Sequence, residues 1–261
     1  MGLIAVLVLI WFFYRANGPQ TTAVLAGTVR AATLLALGAM CGMIGERSGV
    51  VNIGIEGQFL LSAFAAFTIA SMTGSLFMGT IAGVGMGLLM GWVLAGMAVG
   101  LKVDQIIAGT VLNISALGLT SFFYDRSRSL GMGKYTNIDL GPLADLPLVG
   151  TVLFSRPPLT YLTMALLVVV HIALFRSVWG MRTRAIGEHP GAADTVGIDV
   201  IKLRYFNVTI AGGLAGLGGA YLALEAVGTF SRAMSGGRGF LALAVMIFGR
   251  RTPFGAYAAA L

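Results

Sequence analysis

Residues 57–101 read GQFLLSAFAAFTIASMTGSLFMGTIAGVGMGLLMGWVLAGMAVGL and contain no Asp, Glu, Lys or Arg. A helix needs about 20 mainly apolar residues to cross the hydrocarbon core of a membrane, so this run is long enough for two such helices. The tripeptide Thr73-Gly74-Ser75 predicts the turn between them. Only 10% of the 261 residues are charged and 57% are apolar, whereas a soluble domain carries about 25% charged residues. The sequence therefore predicts an all-α integral membrane protein.

Further apolar runs predict the other membrane-spanning helices. The runs at 105–124, 157–175 and 205–224 are long enough for one span each. Two more spans are expected near 22–44 and near 2–14, where the run is short for a full crossing. Shorter runs occupy 239–249 and 254–261, and because the sequence stops inside the last one we expect a chain truncated at its C-terminus. The prediction is a polytopic transmembrane helix bundle of about 7–9 spans, with residues 1–261 forming a single transmembrane domain.

Basic residues concentrate in one connecting segment, 176–205. They are Arg176, Arg182, Arg184, Lys202 and Arg204. Lys and Arg accumulate in the cytoplasmic loops of membrane proteins, so we place this segment inside the cell, with a cytoplasmic loop at about 180–204. Counting spans outward places Glu46, Lys102 and Arg250 inside as well and makes 125–156 an external loop.

Several chemistries lack the residues that they need. The single cysteine, Cys41, excludes a disulfide or a thiolate cluster within the chain. The two histidines, His171 and His189, have no ligand partner at helical or hairpin spacing. The closest approach to a phosphate loop, at 131–135, lacks the leading glycine and the Ser or Thr that would bind Mg²⁺. The net charge of +7 comes from basic residues that stand singly at the ends of apolar runs. We therefore expect no nucleic-acid partner, no metal site and no catalytic residue.

Small residues recur at every fourth position in two predicted helices. The first series is Gly79, Gly83, Gly87 and Gly91, and the second is Gly212, Gly216 and Ala220. Residues at this spacing share one helix face, where the missing side chains let another helix approach closely. We interpret the two stripes as helix-packing surfaces, with a substrate groove as the alternative.

Polar residues in or beside the apolar runs are the candidates for function. They are Arg30, Asn52, Glu56, Gln58, Asn113 and Glu225. Polar side chains are costly in lipid and usually face the interior of a bundle. We take the first five as candidates for the lining of a substrate path. Glu225 closes its span, and we expect it to be solvated at the outer interface.

Structural interpretations stay open for three of these residues. The alternative for Arg30 is an ion pair with an acid or a side chain that extends to the interface. Glu56 begins its span and would be solvated at the inner interface. Asn113 suits an interhelical hydrogen bond as well as a contact with a ligand.

The stretch GERSGVVNIGIEGQ at 45–58 is unusual for a cytoplasmic turn. It is apolar between its charged ends and contains four glycines, which favours a short re-entrant or broken-helix segment. Irregular backbone at membrane depth is tolerated only where protein or water lines it. This stretch is therefore our first candidate for the lining of a translocation path.

The cytoplasmic stretch RTRAIGEHPGAADTVGIDVIKLR at 182–204 predicts a short helix between Pro190 and Gly197. Ala192, Ala193 and Val196 share a face of this helix at three- and four-residue spacing. A short helix with a small apolar face and charged flanks suits a groove in another protein. The alternative is a solvated loop that joins two spans.

Three stretches resemble the permease subunits of ATP-binding-cassette (ABC) importers. GERSGVVNIGIEGQFLLSAF at 45–64 is similar to a characteristic pattern of these subunits, and RAIGEHPGAADTVGIDV at 184–200 resembles their cytoplasmic coupling loop. GGRGFLALAVMIFGRRTPFGA at 236–256 also fits, and the similarity covers most of residues 25–260. The family is the branched-chain amino acid and simple-sugar permease family, and the resemblance is closest to its nucleoside and simple-sugar branch.

The resemblance implies a non-catalytic permease subunit that forms the path for nucleosides or simple sugars. It implies a loop that docks on an ATPase subunit, and the matching residues are Gly187, Glu188, Ala192, Ala193, Gly197 and Ile198. ATP and Mg²⁺ would be bound by the ATPase subunits, and this chain would bind no cofactor.

The resemblance also implies the partners and the location. The partners would be the lipid bilayer, the ATPase subunits and a second related permease subunit. An extracytoplasmic solute-binding protein would meet the loops at 125–156 and 228–238. The location would be the prokaryotic inner cell membrane. The alternative function is a self-contained, ion-coupled secondary transporter, in which Glu56 and Glu225 would bind Na⁺ or H⁺.

Overall fold

The computed structural model describes residues 11–124, 133–139, 141 and 150–261. Within these ranges six helices are long and apolar enough to cross a membrane, and one shorter apolar helix accompanies them. The chain is an all-α polytopic helix bundle, as the sequence predicts. Most of the expected span at 2–14 and much of the expected external loop at 125–156 lie outside the described residues.

Short links join most consecutive helices, whereas a long connection, 124–157, lies between the fourth and the fifth. The helices are α1 (Gly18–Arg47), α2 (Ile55–Thr73), α3 (Leu76–Ala95), α4 (Gln105–Phe123), α5 (Pro158–Arg176), α6 (Val178–Glu188), α7 (Pro190–Thr195), α8 (Val200–Tyr221), α9 (Arg238–Phe248) and α10 (Pro253–Ala260). π-Helical turns at Gly96–Gly100 and Leu222–Val227 extend α3 and α8, and a third lies at Gly150–Phe154. Strands β1 (Ile138–Asp139) and β2 (Ser155–Arg156) pair antiparallel before α5. Residues 11–16 are also helical.

Local sequence explains several helix boundaries. The side chains of Ser75 and Asp104 cap α3 and α4 by accepting hydrogen bonds from backbone N–H groups of the first turn. The helix α2 ends at Gly74, whose φ of 66° is a left-handed conformation that glycine adopts without steric cost. The turn predicted at Thr73-Gly74-Ser75 is therefore confirmed.

The two small-residue stripes pack α3 directly against α8. A β carbon built on Gly83 would lie 2.9 Å from the β carbon of Ala220, and one built on Gly91 would lie 3.0 Å from the α carbon of Gly212. A β carbon on Gly87 would overlap the backbone of Gly212. The packing interpretation is confirmed, because the helix backbones are in contact along this stripe and leave no space for a groove between them.

The helix α8 lies at the centre of the bundle, whereas α4 lies at its edge. In α8 with its π-helical extension, 83% of the residues in an apolar 18-residue stretch are buried. In α4 the corresponding share is 28%. The core between α1, α2 and α8 contains the fully buried side chains of Leu37, Met40, Phe59 and Tyr221. The helices α1, α2 and α8 therefore form the frame on which the polar residues are placed.

The ends of several helices meet at one end of the bundle. Arg251, which follows α9, forms an ion pair of 2.7 Å with Glu46 near the end of α1. At the same end, Gln105 at the start of α4 hydrogen-bonds to the backbone of Gly49 and Val51. The predicted orientation places all of these connecting segments on the cytoplasmic side, which requires them to lie at the same end of the bundle, as they do.

Candidate translocation site and coupling loop

The chain breaks its helical path between α1 and α2, in a segment that we call the junction (residues 48–54). A turn follows Arg47, in which the N–H groups of Ser48 and Val50 donate to the carbonyl oxygen of Gly45. Gly49 has a φ of 81°, a value that side chains rarely allow, and helix resumes at Ile55. The broken-helix prediction for residues 45–58 is confirmed.

A buried polar network anchors the junction to the core. The amide nitrogen of Asn52 donates to Gln58 Oε1 at 3.0 Å and to the sulfur of Cys41 at 3.4 Å. Asn52 is 1% exposed and Gln58 is 0% exposed, so the network is shielded from solvent. Cys41 lies one and a half turns before the end of α1, so the junction rises about 9 Å into the bundle from that end.

Asn113 and Gln105 hold the junction from the side of α4. Asn113 accepts a hydrogen bond from the N–H of Gly57 at 2.8 Å and donates one to the carbonyl oxygen of Ile53 at 3.1 Å. Gln105 accepts from the N–H of Val51 at 2.6 Å. Of the two interpretations of Asn113, the structure supports the interhelical hydrogen bond, and its partners are backbone groups of the junction region.

Glu56 joins the start of α2 to the start of α9. One carboxylate oxygen accepts from the N–H of Gly237 and the other from the N–H of Gly239, both at 2.7 Å. A carboxylate is favourable here because the free N–H groups at a helix N-terminus carry a partial positive charge. A β carbon on Gly239 would overlap the backbone of Glu56, so the two helix ends are in direct contact. Glu56 is half-buried and is not solvated as a free interfacial acid.

Two predicted residues lie away from this cluster. Arg30 stands about 25 Å along α1 from its end, where it lines a small cavity with Arg156 and Glu225. The expectation that Glu225 is solvated is wrong, since only 5% of this residue is exposed. Its carboxylate accepts hydrogen bonds from the N–H groups of Leu159 and Thr160 and from the Thr160 hydroxyl. Glu225 therefore satisfies the N-terminus of α5.

The helices α6 and α7 occupy the stretch that the resemblance assigns to a coupling loop, and we keep that name for it. The short helix expected between Pro190 and Gly197 is present as α7. Gly187 packs against the carbonyl oxygen of Arg47, which leaves no space for a β carbon. The coupling loop therefore touches the end of α1 directly, next to the junction.

The expectation that Ala192, Ala193 and Val196 form one docking face is wrong in part. Ala193 is 3% exposed because it is buried against its own chain, whereas Val196 is 73% exposed and Ala192 is exposed as well. Glu188 and Gly197 are exposed, and Ile198 is half-buried. The surface that α7 presents to a partner therefore includes Ala192 and Val196 but not Ala193.

A cleft of about 630 Å³ lies beside this loop. It is lined by residues of α6, α8 and the link between α7 and α8, including Val196, Ile198 and Arg182. At its rim Lys202 forms an ion pair of 2.8 Å with Asp199. The hydrogen bond from Lys202 lowers the pKa of the Asp199 carboxyl below its ordinary value, so Asp199 is charged at neutral pH.

Sequence reasoning missed Gln105 and Cys41 as members of the polar network. Gln105 is an ordinary first residue of a helix, and Cys41 stands in a long apolar run. Their roles depend on the junction lying beside them, and no local pattern indicates that. Four of the five predicted path residues, Asn52, Glu56, Gln58 and Asn113, therefore lie in or around the junction together with two that were not predicted. Of these six, Asn52, Gln58 and Cys41 hydrogen-bond to one another, and the other three bind backbone groups.

The described residues form a membrane helix bundle whose helical path is interrupted at the junction and which carries a helical loop at one end. These are features of the membrane subunits of transport systems. Residues 24–261 match the family described as the branched-chain amino acid transport system permease component. The chain belongs to this family. It is a multi-pass protein of the prokaryotic cell membrane and an ABC transporter permease, the membrane component of a transport system.

Curated relatives cover most of the chain. It is 35% identical to the guanosine ABC transporter permease protein NupQ of Bacillus subtilis over 91% of this chain and 78% of the relative. It is 34% identical to the nucleoside ABC transporter permease protein NupC of Lactococcus lactis over 84% and 73% of the two chains. It is 37% identical to TsgC13 of Haloferax volcanii, named as a glucose ABC transporter permease protein, over 88% and 71%. No solved structure matches the chain.

Proposed function

We propose that this chain forms half of the path through which an ABC importer moves nucleosides into the cell. The observation that carries the proposal is the junction, which interrupts the helical path and places polar groups inside the bundle. The names of the nucleoside permeases that it resembles support the choice of substrate. Simple sugars are the second candidate, supported by the glucose permease among the relatives.

The exposed side of the junction indicates where the path runs. Val51 is 44% exposed, and Glu56 and Asn113 are half-buried. A carboxylate that is not fully buried is costly in lipid, so this face needs a protein or a water-filled cavity over it. We assign the covering surface to a second, related permease subunit and place the path between the two subunits.

The junction residues provide the groups that an uncharged polar solute needs. The amides of Asn113 and Gln58 can donate to and accept from nucleobase edges and sugar hydroxyls, and the carboxylate of Glu56 can accept from them. Because Asn113 and Glu56 already hydrogen-bond to backbone and Gln58 to the side chains of Asn52 and Cys41, a solute would compete with contacts within the protein and bind only weakly. Weak binding suits a path that has to release its solute on the inner side.

The other partners follow from the two ends of the bundle. ATPase subunits dock at α7 and supply ATP and Mg²⁺, and this chain contributes no catalytic residue and binds no cofactor. A solute-binding protein delivers the substrate to the outer loops. Among the residues that the structure describes, no group of three or more His, Cys, Asp or Glu side chains is arranged to hold a metal ion.

The ion-coupled alternative has two candidate acids in the described part of the chain, Glu56 and Glu225. Both oxygens of Glu56 accept backbone hydrogen bonds, and Glu225 accepts three hydrogen bonds. Both carboxylates therefore satisfy the starts of helices. Because the curated relatives are ABC transporter permeases, the importer is favoured.

Uptake into proteoliposomes tests the proposal. The chain is reconstituted with its ATPase subunits, second permease and solute-binding protein, and uptake of radiolabelled guanosine and glucose is measured with and without ATP. We expect guanosine uptake that requires ATP and is unaffected when ion gradients are dissipated. Guanosine uptake driven by an ion gradient without ATP would overturn the importer proposal. ATP-dependent uptake of glucose alone would overturn only the choice of substrate.

A further inference from the structure

Arg204, in the first turns of α8, connects two parts of the molecule that are distant in sequence. Its Nε donates to the carbonyl oxygen of Ser48 at 2.9 Å, and its Nη2 donates to the carbonyl oxygen of Ile186 at 3.1 Å. Ser48 begins the junction and Ile186 lies in the last turn of α6. One guanidinium therefore bridges the coupling loop and the junction.

Electrostatics favours a cation at this position. Ser48 follows the C-terminus of α1, and Ile186 lies near the C-terminus of α6. The last carbonyl groups of a helix have no helical partner and carry a partial negative charge. The planar guanidinium donates in several fixed directions, so it can satisfy carbonyl groups of two helices at once, which a lysine ammonium does less well.

The surrounding backbone leaves this bridge little freedom. A β carbon on Gly49 would lie 2.7 Å from Nη2 of Arg204, so only glycine fits beside the guanidinium without displacing it. One turn further along α8, Asn207 accepts from Trp179 Nε1 at 2.9 Å and donates to the Thr183 hydroxyl at 3.1 Å. Asn207 is 0% exposed. The helix α6 is thereby fastened to α8, and Arg204 extends from this unit to the junction.

The contacts continue from the junction to the candidate path. Gln105 hydrogen-bonds to the carbonyl oxygen of Gly49 and to the N–H of Val51. Asn52, the next residue after Val51, then donates a side-chain hydrogen bond to Gln58 in α2. Hydrogen bonds, together with the backbone of residues 48–52, thus connect the last turn of α6 through Arg204 to the start of α2.

We propose that Arg204 is a positioning residue that transmits movement of the coupling loop to the junction. When an ATPase subunit pushes on α7, α6 and α8 shift together, and the guanidinium carries Ser48 with them. The junction changes its position relative to α4 and α9, which alters the access of solute to the path. This inference rests on the proposed function, because it requires an ATPase docked at α7.

Substitution of Arg204 tests the proposal, because it should reduce transport of the solute without reducing ATP hydrolysis. In the reconstituted transporter we expect Arg204→Gln to retain ATPase co-purification and ATP hydrolysis while the amount of solute moved per ATP falls about tenfold. Arg204→Lys keeps the positive charge but loses the planar guanidinium. The amount of solute that it moves per ATP should lie between those of the wild type and Arg204→Gln. Arg176→Gln serves as the control, since Arg176 is exposed at the same end of the bundle, and we expect it to behave as wild type.

Each other outcome has a defined meaning. An unchanged ratio of solute to ATP in Arg204→Gln would overturn the proposal. Failure of both Arg204 variants to give folded protein, as judged by gel filtration in detergent, would assign Arg204 to folding and overturn it as well. The wild-type complex is measured first: if the ATPase does not co-purify with it, the proposed function fails independently of Arg204.

Discussion

At the scale of single residues, the polar side chains in the membrane region satisfy backbone groups that have no helical partner. Glu56, Asn113 and Gln105 all hydrogen-bond to backbone N–H groups in or next to the junction or α9. Unsatisfied backbone groups are costly where water is scarce. These side chains therefore make an interrupted helix possible, and the same groups are available to a passing solute.

We predict that Glu56→Gln impairs transport more than folding. Glutamine has one oxygen instead of two acceptors, and its amide N–H opposes the second backbone N–H, so at least one charge-assisted bond worth about 1.5–3 kcal/mol is lost. Uptake should fall about tenfold, with folded protein recovered within about twofold of wild type. The measurements are proteoliposome uptake and gel filtration of the purified protein.

Glu225→Gln is the matched control for this substitution. Glu225 also satisfies a helix N-terminus with its carboxylate, but it lies at the other end of the bundle. If the two substitutions reduce uptake equally, Glu56 has no role in transport beyond supporting a helix end. We expect the loss in Glu56→Gln to be several times larger.

At the scale of elements, the contact of α3 with α8 shows how glycine sets the distance between helices. The membrane offers little hydrophobic driving force for association of helices, so close packing and its dispersion contacts replace it. The backbones of Gly87, Gly212 and Gly216 approach so closely that a methyl group does not fit. This contact fixes the position of α8, and with it that of Arg204.

We predict opposite effects for two neighbouring glycines of α3. Gly87→Ala should lower the free energy of unfolding by about 1–3 kcal/mol, because its methyl group overlaps the backbone of α8. Gly85→Ala should leave stability unchanged or raise it by up to about 1 kcal/mol, because the helix gains a better helix former. Nothing lies within 4 Å of a β carbon built on Gly85. Thermal unfolding in detergent measures both, and equal midpoints would contradict the packing role.

At the scale of the whole molecule, the bundle joins a docking surface at one end to the junction inside it. The surface comprises α7 and the cleft beside it, and Gly187 touches the end of α1 where the junction starts. A short exposed helix of this kind is the part of the chain best placed to contact a separate subunit. A movement of that subunit would be transmitted to the junction by direct contacts between residues of this chain.

We predict that Val196→Arg blocks docking of the ATPase. Val196 is 73% exposed beside α7, and a long charged side chain there would be buried without a partner in the complex. Co-purification of the ATPase with the tagged permease should fall about tenfold. Leu101→Arg is the control, because Leu101 is 76% exposed in the link between α3 and α4. Undiminished co-purification with Val196→Arg would remove α7 from the docking surface.

Much of this organisation is predictable from the sequence, and the exceptions share one cause. The apolar runs locate the described spans, and the glycine stripes identify a real packing surface. Spacing alone assigns Ala193 to the exposed side of α7, which is wrong. Periodicity shows which residues share a helix face, but whether that face is buried depends on the rest of the chain. Glu225 stands at the end of a span in sequence, and only the fold brings the start of α5 against it. Gln105 has no distinguishing pattern at all.

The sequence by itself determined that this chain is a membrane helix bundle, where most of its helices begin and end, and that the helical path breaks near Gly49. These are local properties, because hydropathy and backbone preference act over one or a few turns. The tertiary structure alone decided which polar groups meet: Asn52 with Gln58, Glu56 with α9, and Arg204 with the junction. A hydrogen bond depends on the position of both partners, and here many partners are more than 50 residues apart in sequence.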